Sequence, residues 1–204
     1  MSKKPDLKVN IGVIELQNPV MTASGTFGYA REFEGLVDLN RLGAIIVKGL
    51  SLEPTKGNPP PRIVETPCGM LNAIGLENVG IDVFVKEKLP FLQTLFPPIF
   101  ANIYGTSIEA YAELAARVDE LEAIAGVEVN ISCPNVKAGG IAFGADPNSA
   151  FKVVKAVRKK NKQTAYRKTV TQRDRYHHHR AVCGGGRSRC AFPYQHHYRP
   201  GHRY

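Results

Sequence analysis

Long apolar runs are missing from this sequence. None approaches the ~20 residues that a membrane-spanning helix needs. The opening residues, MSKKPD, lead into no apolar stretch of the kind that a secretory signal peptide carries. These absences argue against a transmembrane helix and a signal peptide, so we expect a cytoplasmic protein without a membrane partner.

Cysteine is also scarce. Cys68, Cys133, Cys183 and Cys190 show no CxxC spacing and do not form the dense pattern of a small disulfide-bonded domain. Reduced thiols are therefore expected, and no metal site is predicted.

Residues 163–204 contain no Leu, Ile, Met, Glu or Asn. They nevertheless hold all six histidines, five of the eight tyrosines, and nine of the 27 basic residues against one of the 18 acidic ones. The formal net charge of +9 is thus almost entirely a property of this tail. A segment without Leu or Ile has little from which to build a core. We therefore expect one globular unit over residues 1–162 and an irregular or disordered tail over 163–204.

The globular part alternates short apolar runs with segments of helical period. Strands are predicted at 19–24, 44–48, 98–103 and 127–132, and helices at 107–122 and 147–160. Strand, loop and helix repeated in this order predict an α/β fold with a parallel sheet.

Polar residues stand at or just after the ends of these strands, namely Ser24, Lys48, Asn102, Asn130 and Cys133. Each alone is explained as well by a loop or cap role. Together they favour a site, because ligands bind at the carboxyl ends of the strands in an α/β barrel.

Three stretches carry a more specific signal: NPVMTASGTFGY at 18–29, GNPPPR at 57–62 running on to GMLNAIGL at 69–76, and NISCPNVK at 130–137. In this order and spacing they resemble the catalytic subunit of class 1B dihydroorotate dehydrogenase, over residues 8–162. The resemblance implies a (β/α)₈ TIM barrel, which needs about 250 residues. Because the family pattern stops near residue 162, we expect the N-terminal half of the barrel, an incomplete and truncated form that is inactive.

The chemistry implied by the resemblance is FMN-dependent oxidation of dihydroorotate to orotate in de novo pyrimidine (UMP) biosynthesis. A base removes a proton from C5 of the substrate, and a hydride passes from C6 to the flavin. Cys133 matches the family's base. A thiol with an ordinary pKa of ~8.5 needs only a modest lowering to act near neutral pH.

Other site residues are carried over by the same motifs. Lysine suits a site that holds an anionic reduced flavin and a carboxylate, and amides offer both a donor and an acceptor to a pyrimidine edge. The resemblance implies flavin contacts at Ser24, Lys48, Gly49, Asn102, Asn130 and Lys168, and substrate contacts at Lys48, Asn72, Ala73, Ile74, Gly75, Leu76, Asn130 and Asn135.

Partners follow from the resemblance as well. Catalytic subunits of this class form homodimers and bind an electron-transfer subunit that carries FAD and a 2Fe–2S cluster, giving a heterotetramer that passes electrons to NAD. A cluster on another chain agrees with the lack of a cysteine cluster in this one. No nucleic-acid partner is predicted.

The composition of the tail is explained by a change of reading frame near residue 162. The tail can be back-translated into its possible codons and read again one base later. From residue 163 this shifted reading permits KPLIVKLSPNVTDITTIA, which looks like the family's fifth strand. Codons for 189–201 permit DALSLINTITGLA, and every histidine codon becomes Ile or Thr. Lys168 is compatible with lysine in both frames.

One alternative for the tail is a metal site formed by the histidines at 177–179 together with His196 and His197. Others are a purification tag at 177–179 and a basic nucleic-acid-binding arm on a vestigial barrel. An alternative for the whole chain is an FMN enzyme resembling dihydropyrimidine dehydrogenase.

Overall fold

The computed structural model describes residues 5–131 and 143–161 and the backbone of residues 164–168. The strands are β1 (Val9–Ile11), β2 (Ile14–Leu16), β3 (Ile45–Ile46), β4 (Ile63–Thr66), β5 (Gly69–Asn72), β6 (Ile99–Ile103), β7 (Ile124–Asn130) and β8 (Thr164–Lys168). The helices are α1 (Gly80–Val83), α2 (Leu89–Leu92), α3 (Ile108–Asp119) and α4 (Pro147–Lys160), with a π-helical turn at Phe84–Lys88 and 3₁₀ turns at Arg31–Phe33, Leu39–Arg41 and Phe143–Ala145.

A parallel sheet with the strand order β3, β6, β7, β8 forms the centre of the molecule. Every residue of β6 is buried, and β7 contributes Val127 and Val129 to the same core. Strands covered on both faces read as continuous apolar runs, and residues 98–103 follow this pattern except at Asn102. The predicted parallel α/β class is confirmed.

The first predicted strand, 19–24, is shorter in the structure. It joins the sheet through one parallel bridge between Met21 and Ala44, beside a hydrogen bond of 2.7 Å from the Gly43 amide to the Val20 carbonyl. The hydroxyl of Thr22 donates to the Ile46 carbonyl at 3.0 Å and accepts from the Ile46 amide at 2.8 Å. A side chain thus replaces the backbone ladder at this point, and the strand ends early.

The two long helices lie close to their predicted bounds, because their ends carry local capping signals. Ser107 accepts a hydrogen bond from the Ala110 amide at 3.1 Å, and Asp146 accepts one from the Ser149 amide at 2.7 Å. Spacings of three and four residues place their apolar side chains against the sheet and each other. The buried positions are Tyr111, Leu114, Ala115 and Val118 in α3, and Pro147, Ala150, Val153 and Val157 in α4. Within the described ranges, no helix has both the length and the apolar character to cross a bilayer.

Residues 164–168 differ from the expectation of an irregular tail. They form β8, parallel to β7, in a register that runs from Gly126 opposite Thr164 to Asn130 opposite Lys168. The edge of β7 offers unpaired backbone groups, and Thr and Tyr suit an extended conformation. The domain boundary at residue 162 stays a prediction, and the histidines and arginines beyond residue 168 lie outside the described residues.

Two antiparallel hairpins, β1–β2 and β4–β5, were not predicted. The β4–β5 hairpin matters for function because its second strand ends at Asn72, where the predicted substrate loop begins.

Candidate active site

The strand ends bring predicted flavin residues together. The Ser24 hydroxyl donates to Glu128 Oε1 at 2.7 Å, and Asn102 Nδ2 donates to the Ser24 hydroxyl at 3.1 Å and to Glu128 Oε1. All three side chains are at most 5% exposed. We call Ser24, Asn102 and Glu128 the strand-end cluster.

Register explains why Asn102 and Glu128 meet. They are direct partners in the β6–β7 ladder, so their side chains leave the sheet on the same face. Asn130 lies two residues after Glu128 and shares that face. Its carbonyl accepts a hydrogen bond of 2.6 Å from the Tyr111 hydroxyl, which ties the end of β7 to α3.

Gly49 lies against the strand-end cluster. A Cβ atom added to Gly49 would stand 2.9 Å from Asn102 Oδ1 and 3.5 Å from Tyr104 Cδ1. The Asn102 oxygen is buried and has no hydrogen-bond partner among the residues that the structure describes. Such an atom costs free energy unless a ligand or water completes it, so this oxygen marks a place where a donor is expected.

Lys48 precedes Gly49 and is half-buried. Its backbone amide donates to the Gly28 carbonyl at 2.8 Å, which joins the end of β3 to the glycine-rich loop after Ser24. No described carboxylate lies within ion-pair distance of its amine. The side chain is therefore available to an anionic ligand.

The predicted substrate loop, residues 72–76, is hydrogen-bonded to Asn58. The Asn58 side chain donates to the Ala73 carbonyl at 2.8 Å, and its backbone amide donates to the Ile74 carbonyl at 3.0 Å. Gly75 has φ +76° and approaches Asn58 so closely that an added Cβ would lie 2.7 Å from the Asn58 amide nitrogen. Glycine is required here for both reasons.

The far end of this loop is fixed by a second group of polar side chains. The Leu76 carbonyl accepts hydrogen bonds of 3.1 Å from Asn78 Nδ2 and from the Tyr104 hydroxyl. Leu76 itself has φ +59°, an unusual conformation for a residue with a side chain. Tyr104 follows β6, so the substrate loop is tied to the strand that carries Asn102.

Some predicted residues cannot be placed in this site. Cys133 and Asn135 lie outside the described residues. The backbone of Lys168 stands beside Asn130 in the β7–β8 register, and its side chain is not described.

Sequence reasoning missed Glu128, Tyr104 and Asn78. Glu128 left a detectable signal, because it is the only charged residue in the otherwise apolar and amide-bearing β7 and stands two residues before Asn130. Tyr104 and Asn78 left none, since their role depends on the position of the Leu76 carbonyl.

Polar side chains collected at the carboxyl ends of parallel strands are typical of the ligand-binding face of α/β barrels. The family model described as dihydroorotate dehydrogenase matches residues 6–177. The chain belongs to the dihydroorotate dehydrogenase family.

Known relatives agree with this assignment. The chain is 64% identical over 155 residues to a protein of Geotalea uraniireducens (strain Rf4) and 65% identical over 156 residues to one of Geotalea daltonii (strain DSM 22248 / JCM 15807 / FRC-32). Both are named dihydroorotate dehydrogenase B (NAD(+)), catalytic subunit. Each match covers 76% of this chain and 51% of the relative, so the chain spans about half the length of the curated relatives it matches.

A solved structure supports the fold. The crystal structure of DHODH from Eimeria tenella in complex with ferulenol is similar with a TM-score of 0.70 and 18% sequence identity. The similarity covers 89% of this chain and 58% of that one. The parallel sheet described above therefore corresponds to part of that enzyme's barrel.

Proposed function

We propose that residues 1–162 carry the first half of the FMN and dihydroorotate site of a class 1B dihydroorotate dehydrogenase catalytic subunit. The reaction is the oxidation of dihydroorotate to orotate in de novo pyrimidine (UMP) biosynthesis. The observation that carries this proposal is the meeting of Ser24, Gly49 and Asn102 at the strand ends, since all three come from positions that match the family's flavin contacts.

The residues present fit FMN. Asn102 Oδ1 is a buried acceptor without a described partner, and Gly49 leaves open the space next to it. Ser24, Lys48, Gly49, Asn102 and Asn130 would hold the flavin, together with Lys168. When bound, FMN supplies the acceptor for the hydride that leaves C6 of the substrate.

The chain's own residues would supply the other parts of the chemistry. Cys133 Sγ takes the proton from C5 as the general base. The Lys48 amine, unpaired among the described residues, balances the negative charge of the substrate carboxylate. The loop of Asn72, Ala73, Ile74, Gly75 and Leu76 covers the substrate, and Asn130 and Asn135 supply amide groups to its edge.

The wider assembly is proposed on the same basis. The relatives' names include NAD(+) and the words catalytic subunit, which supports a partner chain that carries electrons away from the site. We propose a homodimer joined by an electron-transfer subunit with FAD and a 2Fe–2S cluster, with NAD as the final acceptor, located in the cytoplasm.

Flavin titration tests this proposal. The 204-residue chain is titrated with FMN beside a frame-restored version, in which the residues after 162 follow the shifted frame and continue in it to the ~250 residues of a complete barrel. Quenching of flavin fluorescence is followed in both. We expect weak binding by the former and tight binding by the latter, because the restored residues rebuild strands that a barrel needs. Bleaching of the flavin band on addition of dihydroorotate then reports the reaction.

Cys133→Ala in the frame-restored version is the matched control. It should bind FMN normally and bleach the flavin about 10²–10⁴-fold more slowly, as expected for loss of a general base. A frame-restored chain that binds no FMN contradicts the proposal. One that is bleached by dihydrouracil but not by dihydroorotate favours the dihydropyrimidine dehydrogenase alternative.

A further inference from the structure

Glu128 matches none of the flavin or substrate positions of the family motifs, yet it lies inside the site. It is 1% exposed in a strand whose other residues are apolar or carry an amide. Burial of a carboxyl group costs free energy unless hydrogen bonds compensate it. Here the compensation comes from two side chains of the site itself, Ser24 and Asn102.

These hydrogen bonds have one consistent direction. Asn102 Nδ2 donates to the Ser24 oxygen and to Glu128 Oε1, and the Ser24 hydroxyl donates to the same Glu128 oxygen. An asparagine side chain has two N–H groups, so both have a protein acceptor here. Rotating the amide by 180° would place Oδ1 against the carboxyl oxygen, where two acceptors repel each other.

Once both N–H groups are bonded, Asn102 keeps one hydrogen-bonding atom without a described partner, the acceptor Oδ1. This atom is buried and has no partner in the described part of the chain. It lies next to Gly49, where any side chain would come within 2.9 Å of it. The absence of a Cβ atom at residue 49 keeps the oxygen uncovered.

We propose that Glu128 is a positioning residue that holds Asn102 as a hydrogen-bond acceptor toward a ring N–H or ribityl hydroxyl of the bound flavin, and that Gly49 keeps this acceptor accessible. The inference rests on the proposed function. It assigns a role to a residue that touches the flavin only through Asn102, and it predicts that Asn102 recognises a donor on the ligand.

Three substitutions distinguish a role of Glu128 in positioning Asn102 from a general role in protein stability. Glu128→Gln keeps an acceptor oxygen for Ser24 and Asn102, whereas Glu128→Leu removes the acceptor that both side chains share. Gly49→Ala covers Asn102 Oδ1 without touching Glu128, and Gly49 does not have a positive φ, so its backbone accepts alanine. Glu113→Gln, on the exposed side of α3, and Gly69→Ala, where an added Cβ meets only Thr66 Oγ1 at 4.0 Å, are the matched controls.

Two readouts are needed. The amide measurement uses the full 204-residue chain, and the FMN titration uses the frame-restored version, in which tight binding is expected. The side-chain amide resonances of Asn102, assigned with Asn102→Asp, report whether its N–H groups are protected from solvent exchange without any flavin. Fluorescence titration gives the dissociation constant for FMN. The thermal midpoint of each variant is measured in parallel.

We expect Glu128→Leu to lose the protected amide signals and to raise the dissociation constant about tenfold, the equivalent of one hydrogen bond to the ligand. Glu128→Gln should keep the signals and change the constant by less than about threefold. Gly49→Ala should keep the signals and still weaken FMN binding, which a purely structural role of the cluster does not predict.

Glu128→Leu binding FMN as tightly as the unmodified chain overturns the inference, as does Glu128→Gln binding as weakly as Glu128→Leu at an unchanged thermal midpoint. If Gly49→Ala binds FMN with unaltered affinity, the proposal that Gly49 keeps Asn102 Oδ1 accessible to the flavin is wrong. Failure of the frame-restored chain to bind FMN overturns the proposed function and, with it, this inference.

Discussion

The strand-end cluster and the substrate loop use polar side chains in different surroundings. Ser24, Asn102 and Glu128 are at most 5% exposed, with Asn102 and Glu128 on neighbouring strands, whereas Asn72 and Ala73 are exposed and lie at the end of a hairpin. The cluster takes its geometry from the sheet register. The loop takes its geometry from a few hydrogen bonds to Asn58, Asn78 and Tyr104.

We therefore expect the flavin part and the substrate part of the proposed site to be separable by mutation. A change in the loop's supports should affect substrate binding while the flavin contacts remain, because none of the cluster's described hydrogen bonds goes to Asn58 or Asn78. A rigid cofactor site and an adjustable substrate loop are what an enzyme needs when only the substrate exchanges in each turnover.

The largest effect is expected from Asn78→Ala. Asn78 Oδ1 accepts from the Gly80 amide at 2.9 Å and the Ser51 amide at 3.2 Å, and Nδ2 donates to the Tyr104 hydroxyl at 2.7 Å. Alanine leaves these groups without their partner, and the free energy of unfolding should fall by about 2–4 kcal/mol. Urea denaturation measures the loss.

Asn40→Ala is the control for this prediction. Its Oδ1 accepts a single hydrogen bond of 2.9 Å from the Phe96 amide, so the expected cost is about 1 kcal/mol. An Asn78→Ala variant no less stable than Asn40→Ala would show that Asn78 does not support the loop.

Gly75→Ala should have the next largest effect. The alanine Cβ would lie 2.7 Å from the Asn58 amide nitrogen at a φ of +76°, so the loop must move. We expect a loss of roughly 1–3 kcal/mol together with weaker binding of dihydroorotate, measured by calorimetry, and an unchanged affinity for FMN. Gly69→Ala serves as the control, and an equal loss of FMN affinity in Gly75→Ala would break the separation of the two regions.

Tyr104→Phe tests the substrate loop without changing the strand-end cluster. It removes a hydroxyl that donates to the Leu76 carbonyl at 3.1 Å and accepts from Asn78, which should cost about 1 kcal/mol. Tyr111→Phe removes a hydroxyl of the same kind, bonded to the Asn130 carbonyl. In titrations, Tyr104→Phe should weaken the binding of dihydroorotate only. Tyr111→Phe should weaken the binding of both dihydroorotate and FMN, because it acts through Asn130. Equal changes of the two affinities in both variants would contradict this prediction.

The smallest effect at neutral pH is expected from Tyr29→Phe, at the buried last residue of the first motif. Burial raises the pKa of Tyr29 to about 12, while the backbone of Val79 lowers it by less. The neutral hydroxyl is thus favoured in the folded chain. The stability linked to this shift is complete below the ordinary pKa of 10 and is lost as the pH rises from 10 to 12.

Denaturation curves between pH 8 and pH 12 check this prediction. The unmodified chain should lose more stability than Tyr29→Phe above about pH 10. Parallel loss in both chains would exclude Tyr29 as the source.

Much of the fold could be predicted because its signals are local. Helix α4 has its predicted bounds, Pro147 to Lys160, since an aspartate cap, a proline in the first turn and a regular apolar spacing all lie within the segment. The shortened first strand could not be predicted, because the Thr22 hydroxyl bonds to Ile46, which is 24 residues away. Strand β8 was missed because its extended form depends on the edge of β7.

The candidate site divides in the same way. Ser24, Gly49 and Asn102 were predicted from motifs, and the structure brings them together. Glu128 was missed, because an acidic residue in a strand has a role only once its partners are known. The positions of Cys133 and Asn135, like the role of the tail, stay predictions.

By itself the sequence determined the alternation of strands and helices, the family motifs and the division of charge at residue 162. These are properties of neighbouring residues or of composition. The tertiary structure alone decided that Glu128 would meet Ser24, 104 residues away, and Asn102, 26 residues away. Such contacts depend on strand order and register, which are set by the packing of the whole sheet rather than by any local segment.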